Sequence, residues 1–232
     1  MAPETRGPTD GRGTRPSAVR SGSSGADAVL DLRRQILLTG AALLAERGYA
    51  ATSTAAIADR VGIDEASLHR HFADKDQLLL ELLEASVRPS LAFVDDLKRH
   101  PDHAAAIYAL ASLDVGTLLA TPHNVCTMYL APEVRQPRFD AFREQRERLR
   151  TAYITLVGAV DPLADADFLG RACLQLVEMV IALRCESEPD PSVAAAIARS
   201  CLRVVGLAPS TVGRAADAGE RLLAWLGVPG HH

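Results

Sequence analysis

Residues 52–75 read TSTAAIADRVGIDEASLHRHFADK and carry the pattern of two short helices joined by a tight turn. Hydroxyl side chains at the start are typical helix caps, and Ala56, Ile57 and Val61 follow at the spacing of an apolar helix face, which predicts a helix over residues 53–60. Gly62 then permits the left-handed backbone of a turn, and Asp64 is a suitable cap for a second helix. The pattern predicts a helix-turn-helix.

The second helix of such a motif lies in the DNA major groove, where its exposed side chains meet base edges and phosphates. Leu68 and Phe72 give this helix its apolar face, so its other side chains are expected to point outwards. Arg70 can read guanine with two hydrogen bonds or anchor a phosphate, and Glu65 can accept from cytosine or stabilise the helix start. The predicted DNA-binding residues are Thr52, Ser53, Thr54, Glu65, Ser67, His69, Arg70, His71 and Lys75.

Residues on both sides of the motif extend the pattern over residues 33–80. The residues concerned are Ile36, Leu37, Ala41, Ala42, Gly48, Tyr49, Thr52, Ile57, Ala58, Val61, Gly62, Ile63, Leu68, His71, Phe72, Lys75, Leu78 and Leu79. In these positions the sequence resembles the DNA-binding domain of the TetR family of bacterial transcriptional regulators. It departs from the family at Asp64, Ala66 and His69, where Ser, Gly and Tyr are usual. The resemblance implies that the residues at positions 69 and 75 hold DNA phosphates.

Helical periodicity continues through the rest of the chain, broken by Pro, Gly and Asp and without the alternation typical of strands. The fold class predicted is all-α: an N-terminal three-helix helix-turn-helix DNA-binding domain followed by a helical ligand-binding and dimerisation domain, as in TetR-like proteins. The further helices are predicted over residues 29–47, 74–88, 90–99, 102–120, 124–130, 138–160, 165–185, 192–205 and 219–226.

Composition divides the chain into three parts. Residues 1–28 hold Gly, Ser, Pro and Arg with few large apolar side chains, which predicts a disordered tail. The arginines of this tail can touch phosphates, although a solvated extension is the simpler interpretation. We predict the DNA-binding domain over residues 29–80 and the effector-binding and dimerisation domain over residues 81–228.

The bulk composition indicates a globular protein. Hydrophobic residues make up 48% of the 232 residues, and the formal net charge of -4 argues against non-specific wrapping of nucleic acid. The four cysteines have no paired spacing, and no phosphate loop, nucleophile elbow or metal-spaced His or Glu set occurs, so we expect no enzyme activity, cofactor or metal. No apolar run reaches the length of a membrane span and no signal region is evident, which predicts a cytoplasmic protein.

Arg146 is the polar member of an otherwise apolar helical seam that includes Phe142, Leu149 and Tyr153. An arginine that points inwards must be paired or hydrogen-bonded, because an isolated buried charge is costly. Its partner is either an internal carboxylate, which we favour, or the anionic group of a ligand. The candidate carboxylates are Glu133, Asp165 and Glu178.

A short amphipathic segment between prolines, residues 121–137, is where we expect a ligand cavity. Methionine and aromatic residues at such spacing are more often ordinary core, and pockets are mostly apolar with few polar anchors. The candidate effector-pocket residues are Phe93, Tyr108, His123, Asn124, Met128, Tyr129, Arg146, Gln175 and Glu178.

The helix predicted over residues 165–185 is apolar nearly all round, which indicates burial on more than one side. Small alanines on the next helix would allow close approach to a partner, so we expect these two helices to pair with their copies in a second subunit. The TetR resemblance implies the same arrangement. The predicted interface residues are Phe168, Arg171, Leu176, Met179, Val180, Leu183, Ala194 and Ala198.

These features predict a homodimeric DNA-binding transcriptional regulator of the TetR type, a repressor released from a palindromic operator by a small-molecule effector. Its partners would be double-stranded DNA, that effector and a second copy of the chain. One alternative is a helical small-molecule carrier or enzyme whose head no longer binds DNA. Another is a DNA-packaging protein, which would bind without regard to sequence.

Overall fold

The computed structural model describes residues 25–190 and 192–228, and all regular structure within them is helical, so the predicted all-α class is confirmed. Three 3-10 segments, Pro122–Leu130, Pro132–Arg135 and Pro137–Phe139, separate two of the long helices. The α-helices are α1 (Gly25–Arg47), α2 (Thr54–Val61), α3 (Glu65–His69), α4 (Lys75–Ala85), α5 (Arg88–Leu91), α6 (Val94–Arg99), α7 (His103–Ala120), α8 (Asp140–Val160), α9 (Ala166–Glu186), α10 (Val193–Val204) and α11 (Pro209–Trp225).

The first three helices form a small unit that we call the head. Ile36 of α1, Ile57 of α2 and Leu68 of α3 are fully buried together with Phe72, so each helix contributes one apolar face to a shared core. Gly62 ends α2 with a φ of 84°, a left-handed conformation that side chains disfavour. This turn sets α3 across α2.

Helices α5–α11 form the body, with α7 at its centre. Every residue from Ala105 through Val115 is buried, because α7 packs against α8, α9, α10 and α11. Among the described residues, α7 is also the one helix long and apolar enough to cross a membrane by length and composition, and 67% of it lies inside the fold. Such packing is that of a core helix.

Helix α4 joins the head to the body, and several contacts make this junction firm. Arg33 of α1 forms an ion pair with Glu81 of α4 and lies over the Phe72 ring at 4.2 Å. Arg138, from the segment before α8, forms an ion pair with Asp76 in the first turn of α4. The 3-10 segment Pro122–Leu130 also packs on α1. The head is therefore connected to the body in two ways: through α4, and through contacts that the segments before α8 make with α1 and α4.

Several predicted boundaries were wrong. Helix α1 begins at Gly25, inside the segment assigned to the tail, whose first 24 residues lie outside the described part of the chain. The helix predicted over residues 219–226 is the end of the longer α11, because its glycines do not break it. Gly219 sits there for packing, since a Cβ would lie 2.5 Å from Cδ1 of Tyr108.

Two further differences concern backbone conformation. The helix predicted over residues 90–99 is divided into α5 and α6. The helix predicted over residues 124–130 is a 3-10 segment in which His123 and Asn124 have positive φ values of 52° and 54°. Asparagine tolerates that conformation better than most residues, but the residues around it contain no turn signal strong enough to predict it.

Candidate nucleic-acid interface and body cavities

Side-chain caps fix the positions of the two helices of the motif. The Ser53 hydroxyl accepts from the amide of Ala56 at 3.1 Å, and the Asp64 carboxylate accepts from the amide of Ser67 at 2.6 Å. Hydrogen bonds from Ser67 lower the pKa of Asp64. Both caps satisfy amides that the helix itself leaves unpaired.

The outer face of α3 is exposed and polar. Glu65, His69 and Arg70 all face solvent on the side opposite the buried Leu68. Glu65 accepts from the Thr54 hydroxyl at 2.5 Å, and Arg70 donates to the Ser67 hydroxyl at 2.6 Å. The face therefore presents both a carboxylate and a guanidinium on a short rigid helix.

Two of the predicted DNA-binding side chains lie inside the head. The Thr52 side chain is buried, and its hydroxyl is directed to the carbonyls of Gly48 at 2.8 Å and Leu43 at 3.1 Å. Ser67 is also buried, and its hydroxyl accepts from Arg70. The prediction that Thr52 is a DNA-binding residue is corrected, because its hydroxyl stabilises the α1–α2 turn.

Lys75 lies at the start of α4 and is engaged with the turn before α2. Its Nζ donates to the carbonyls of Tyr49 at 2.6 Å and Thr52 at 2.7 Å, and sits 3.7 Å from the centre of the Tyr49 ring. Desolvation lowers the pKa of Lys75. An ammonium group has three donors, so one remains after these two bonds.

His71 has mainly a packing position. It is half-buried, and its backbone carbonyl accepts from Arg33 at 3.0 Å. His69 is exposed, and its Nδ1 lies 3.0 Å from the carbonyl of Ala73. Of the two histidines, His69 is therefore the one directed towards the outer face.

In the body, the structure brings part of the predicted pocket together. Arg146 forms an ion pair with Glu178, one of its three predicted carboxylate partners, and lies 4.7 Å from the centre of the Tyr129 ring. The Tyr129 hydroxyl is hydrogen-bonded to Ser86 at 2.6 Å, and Gln175 donates to Glu178 at 2.9 Å. Ser86, Tyr129, Arg146 and Glu178 line a cavity of only about 20 Å³, and Gln175 does not reach it.

Other predicted pocket residues lie elsewhere. Tyr108 packs on α11 and donates to Glu220 at 2.6 Å, while Asn124 donates to the carbonyl of Ile181 at 2.9 Å. His123 is exposed, and Phe93 and Met128 are half-buried and line none of the cavities described here. The predicted set therefore does not form one site.

Sequence reasoning missed a buried carboxyl next to the small cavity. Asp114 of α7 is 4% exposed and accepts from the Tyr153 hydroxyl at 2.8 Å. Burial raises the pKa of Asp114 to about 7, although hydrogen bonds from Ser90 and Tyr153 oppose that effect. A lone acidic residue within the apolar run of α7 was the available signal.

A much larger cavity, of about 490 Å³, was also missed. It is a groove between α4, α5 and α7, which we call the α4–α7 groove. Its wall and floor include Leu82, Ala85, Pro89, Ser112, Gly116 and Ala120.

The predicted dimer face divides into exposed and buried residues. Phe168 and Met179 are 65% and 44% exposed. Leu176 and Leu183, on the same side of α9, are half-buried. Val180 and Ala198 are fully buried within the subunit, so their assignment to the interface is corrected. The remaining members are Arg171, which is exposed and bonded to Asp167, and Ala194, which is half-buried.

Comparison with known proteins identifies the family. The family model described as bacterial regulatory proteins, tetR family, matches residues 36–82. AmtR of Mycobacterium smegmatis, a solved crystal structure, is 34% identical, with 90% of this chain and 98% of AmtR covered and a TM-score of 0.77. This chain belongs to the TetR family.

Two curated relatives are also similar to this TetR-family chain. The HTH-type transcriptional repressor KstR2 of Mycobacterium tuberculosis is 27% identical over 150 residues, which cover 60% of this chain and 74% of KstR2. The nucleoid occlusion factor SlmA of Marinomonas sp. is 31% identical over 123 residues, covering 52% of this chain and 57% of SlmA. The predicted function is confirmed at this level: the protein is a DNA-binding transcriptional regulator of the TetR type, a family of regulators and not of enzymes.

Proposed function

We propose that the protein is a homodimeric repressor, that each subunit places α3 in a DNA major groove, and that a small molecule bound in the body releases it. The repressor sense is supported by the similarity to KstR2, which is described as a transcriptional repressor. The observation that carries the proposal is the outer face of α3, which is exposed and polar and is backed by the fully buried Leu68.

Arg70 is the proposed reader of base identity. Its guanidinium is bound to the buried Ser67 hydroxyl within the same turn, and breaking such a bond costs about 1 kcal/mol. A bidentate contact to guanine is worth about 1–3 kcal/mol of discrimination. A bidentate contact with the correct base therefore offsets the loss of the bond between Arg70 and Ser67. Glu65 and His69 flank Arg70 on the same face and complete the proposed reading surface.

Phosphates are proposed to lie against the start of α2 and the start of α4. Ser53 and Thr54 are at the α2 end, where amides and the helix dipole favour an anion. Lys75 retains one donor beyond its two carbonyl partners. These contacts fix the position of α3 on DNA without reading sequence.

Dimerisation is proposed through α9. Phe168, Leu176, Met179 and Leu183 form a stripe at helical spacing whose two largest exposed members are Phe168 and Met179. A twofold axis through this stripe would pair it with its copy and place two heads on the same side of DNA. The operator would then be palindromic, with half-sites about one helical turn apart or more.

DNA binding and effector binding are assigned to the two parts of the chain that α4 connects. We assign residues 29–80 to DNA binding and residues 81–228 to effector binding and dimerisation, with α4 as the shared element. A regulator of this kind acts where the chromosome lies, in the cytoplasm.

Selection of bound fragments from the source genome tests the proposal. We expect enrichment of fragments that share a palindrome, bound by two subunits, with affinity that falls steeply with salt. The matched variants are Arg70→Ala and Arg214→Ala, since Arg214 is exposed on α11. We expect the shared sequence to be relaxed at one or two positions of each half-site with Arg70→Ala and to be unchanged with Arg214→Ala. Enrichment without any shared sequence, or none at all, would overturn the proposal.

A further inference from the structure

The floor of the α4–α7 groove is one side of α7. Ser112, Gly116 and Ala120 are four residues apart and so lie above one another along the helix axis over about 12 Å. A Cβ built on Gly116 would meet no atom within 4 Å. The small side chains thus leave a long open space, with Leu82 and Ala85 of α4 as the opposite wall.

The described residues that line the groove include no ionisable side chain. Two of its three hydroxyls are already occupied, since Thr117 donates to the carbonyl of Leu113 and Thr121 to that of Thr117, both at 2.9 Å. The third, Ser112 Oγ, is buried and has no hydrogen-bond partner. The nearby phenol of Tyr108 donates to Glu220, and the Ser112 hydroxyl lies close enough to this phenol to oppose the rise of its pKa.

Two cavities next to Arg146 suit such a ligand less well. The cavity beside Tyr129 holds about 20 Å³, room for about one water molecule. A cleft between α8 and α9 of about 420 Å³ is lined by arginines such as Arg146, Arg150 and Arg171, but each of these is paired with a carboxylate. The charge of each of these arginines is therefore already balanced within the subunit, which weakens the attraction of the cleft for an anion.

We propose that the α4–α7 groove is the effector site and that it takes a neutral, elongated, apolar molecule with one hydrogen-bonding group, such as a carbonyl or hydroxyl that meets Ser112. The absence of ionisable lining side chains disfavours a charged ligand, because its charge would be desolvated without a partner. The regulatory role of this site rests on the proposed function, whereas binding of the molecule in the groove does not.

The location explains how occupancy would reach DNA. Leu82 and Ala85 belong to α4, and the first turn of the same helix carries Lys75 and Asp76, which are bonded to the head and to Arg138. A molecule inserted between α4 and α7 moves α4 away from the body. Because the head is fastened to α4, its position relative to the second subunit changes as well.

A neutral fluorescent probe, N-phenyl-1-naphthylamine, tests the site directly in the full-length dimer. Gly116→Leu fills the groove, whereas Gly213→Leu is the matched control, since Gly213 on α11 also has open space around its Cβ position. Both changes raise helix propensity equally. We expect saturable probe binding by the wild type and by Gly213→Leu, and at least tenfold weaker binding by Gly116→Leu.

A second groove variant, Ala120→Leu, guards against a local folding defect in Gly116→Leu. It should weaken probe binding as well, with an unchanged helical circular dichroism spectrum. Binding that is absent in the wild type, or equal in both groove variants and the control, would overturn the proposal. Loss of binding in Asp114→Asn with full binding in Gly116→Leu would place the ligand in the polar cavity and overturn it too.

The probe measurements separate the site from the function. If saturating probe weakens operator binding by the wild type and not by Gly116→Leu, the groove is the regulatory site. If the wild type binds probe in the groove but binds no DNA sequence selectively, the site stands and the proposed function fails. Probe that fills the groove and leaves operator affinity unchanged would overturn the effector assignment.

Discussion

Arg138 and Asp76 form an ion pair between the segment that precedes α8 and the first turn of α4. Asp76 also accepts a hydrogen bond from the Tyr49 hydroxyl, so one carboxylate connects the body, α4 and the turn before α2. Its side chain is 15% exposed, whereas that of Arg138 is 51% exposed. The Asp76 carboxylate is therefore largely buried where it contacts the head, whereas the Arg138 guanidinium from the body is accessible to solvent.

Arg138→Met should loosen this junction without unfolding the protein. A half-exposed ion pair contributes up to about 1 kcal/mol, so the free energy of unfolding should fall by no more than about that amount. Hydrogen exchange of the first-turn amides of α4 should become faster, because the head is held less firmly. Arg99→Met, which removes the exposed pair with Asp96 inside α6, is the control. Equal exchange in the two variants would mean that Arg138 does not hold the head.

Thr52→Val should destabilise the head and leave phosphate binding intact. The substitution removes a buried hydroxyl that is bonded to two carbonyls, which costs about 1–3 kcal/mol. Chemical denaturation should show that loss, while the DNA affinity of the folded protein stays as in the wild type. Lys75→Met is the comparison, since it should reduce the salt slope by about one phosphate contact. A lower DNA affinity of folded Thr52→Val would mean that this hydroxyl contacts DNA after all.

Asp114 should make stability depend on pH. Burial raises its pKa to about 7 from the usual 3.8, so the folded state binds the proton more tightly than the unfolded state. The resulting stabilisation is complete below about pH 3.8 and is lost as the pH rises through about 7. The full difference corresponds to at most about 4 kcal/mol.

Asp114→Asn should therefore gain stability relative to the wild type between pH 5 and pH 8, by about 1–4 kcal/mol on denaturant unfolding. Tyr153 donates to this carboxylate and Glu178 adds a like charge, so both affect the same titration. Tyr153→Phe removes a hydrogen bond that lowers the pKa of Asp114, and should move the loss of stability to higher pH. A pH profile that is identical in Asp114→Asn and the wild type would contradict the assignment.

Phe168→Glu should convert the proposed dimer to monomers. Burial of a phenylalanine is worth about 1.5–3 kcal/mol, and twofold symmetry counts it twice, so the dissociation constant should rise at least about a hundredfold. Leu163→Glu is a matched control, because Leu163 is 97% exposed just before α9. Sedimentation analysis across a concentration series gives the dimer dissociation constant of each variant. A dimer that survives Phe168→Glu unchanged would place the interface elsewhere.

Local signals made the head predictable. Ser53, Asp64 and Gly62 act within four residues of the amides and turn that they fix, so the sequence carries their effect directly. The pairing of Arg146 was predicted only as one of several options. The inward orientation of the Arg146 side chain follows from helical periodicity. Its partner Glu178, however, is 32 residues away and is selected by the packing of α8 on α9.

Cavities and buried polar groups were not predictable in the same way. The α4–α7 groove exists because Ser112, Gly116 and Ala120 are small where α4 passes over them, and no pattern along α7 reveals what lies opposite. Asp114 stands out as the one acidic residue in the apolar run of α7, but the position of its partner Tyr153 on α8 depends on the packing of the two helices. The role of Lys75 depends on two carbonyls more than twenty residues away in the chain.

The most direct test of the central claim is competition binding of wild type and Arg70→Ala to the selected operator and to its single-base variants at one fixed salt concentration. If α3 reads the major groove, the wild type should discriminate against particular bases by about 1–3 kcal/mol, and Arg70→Ala should lose that discrimination at one or two positions of each half-site. Equal discrimination by both proteins at every position would contradict the account.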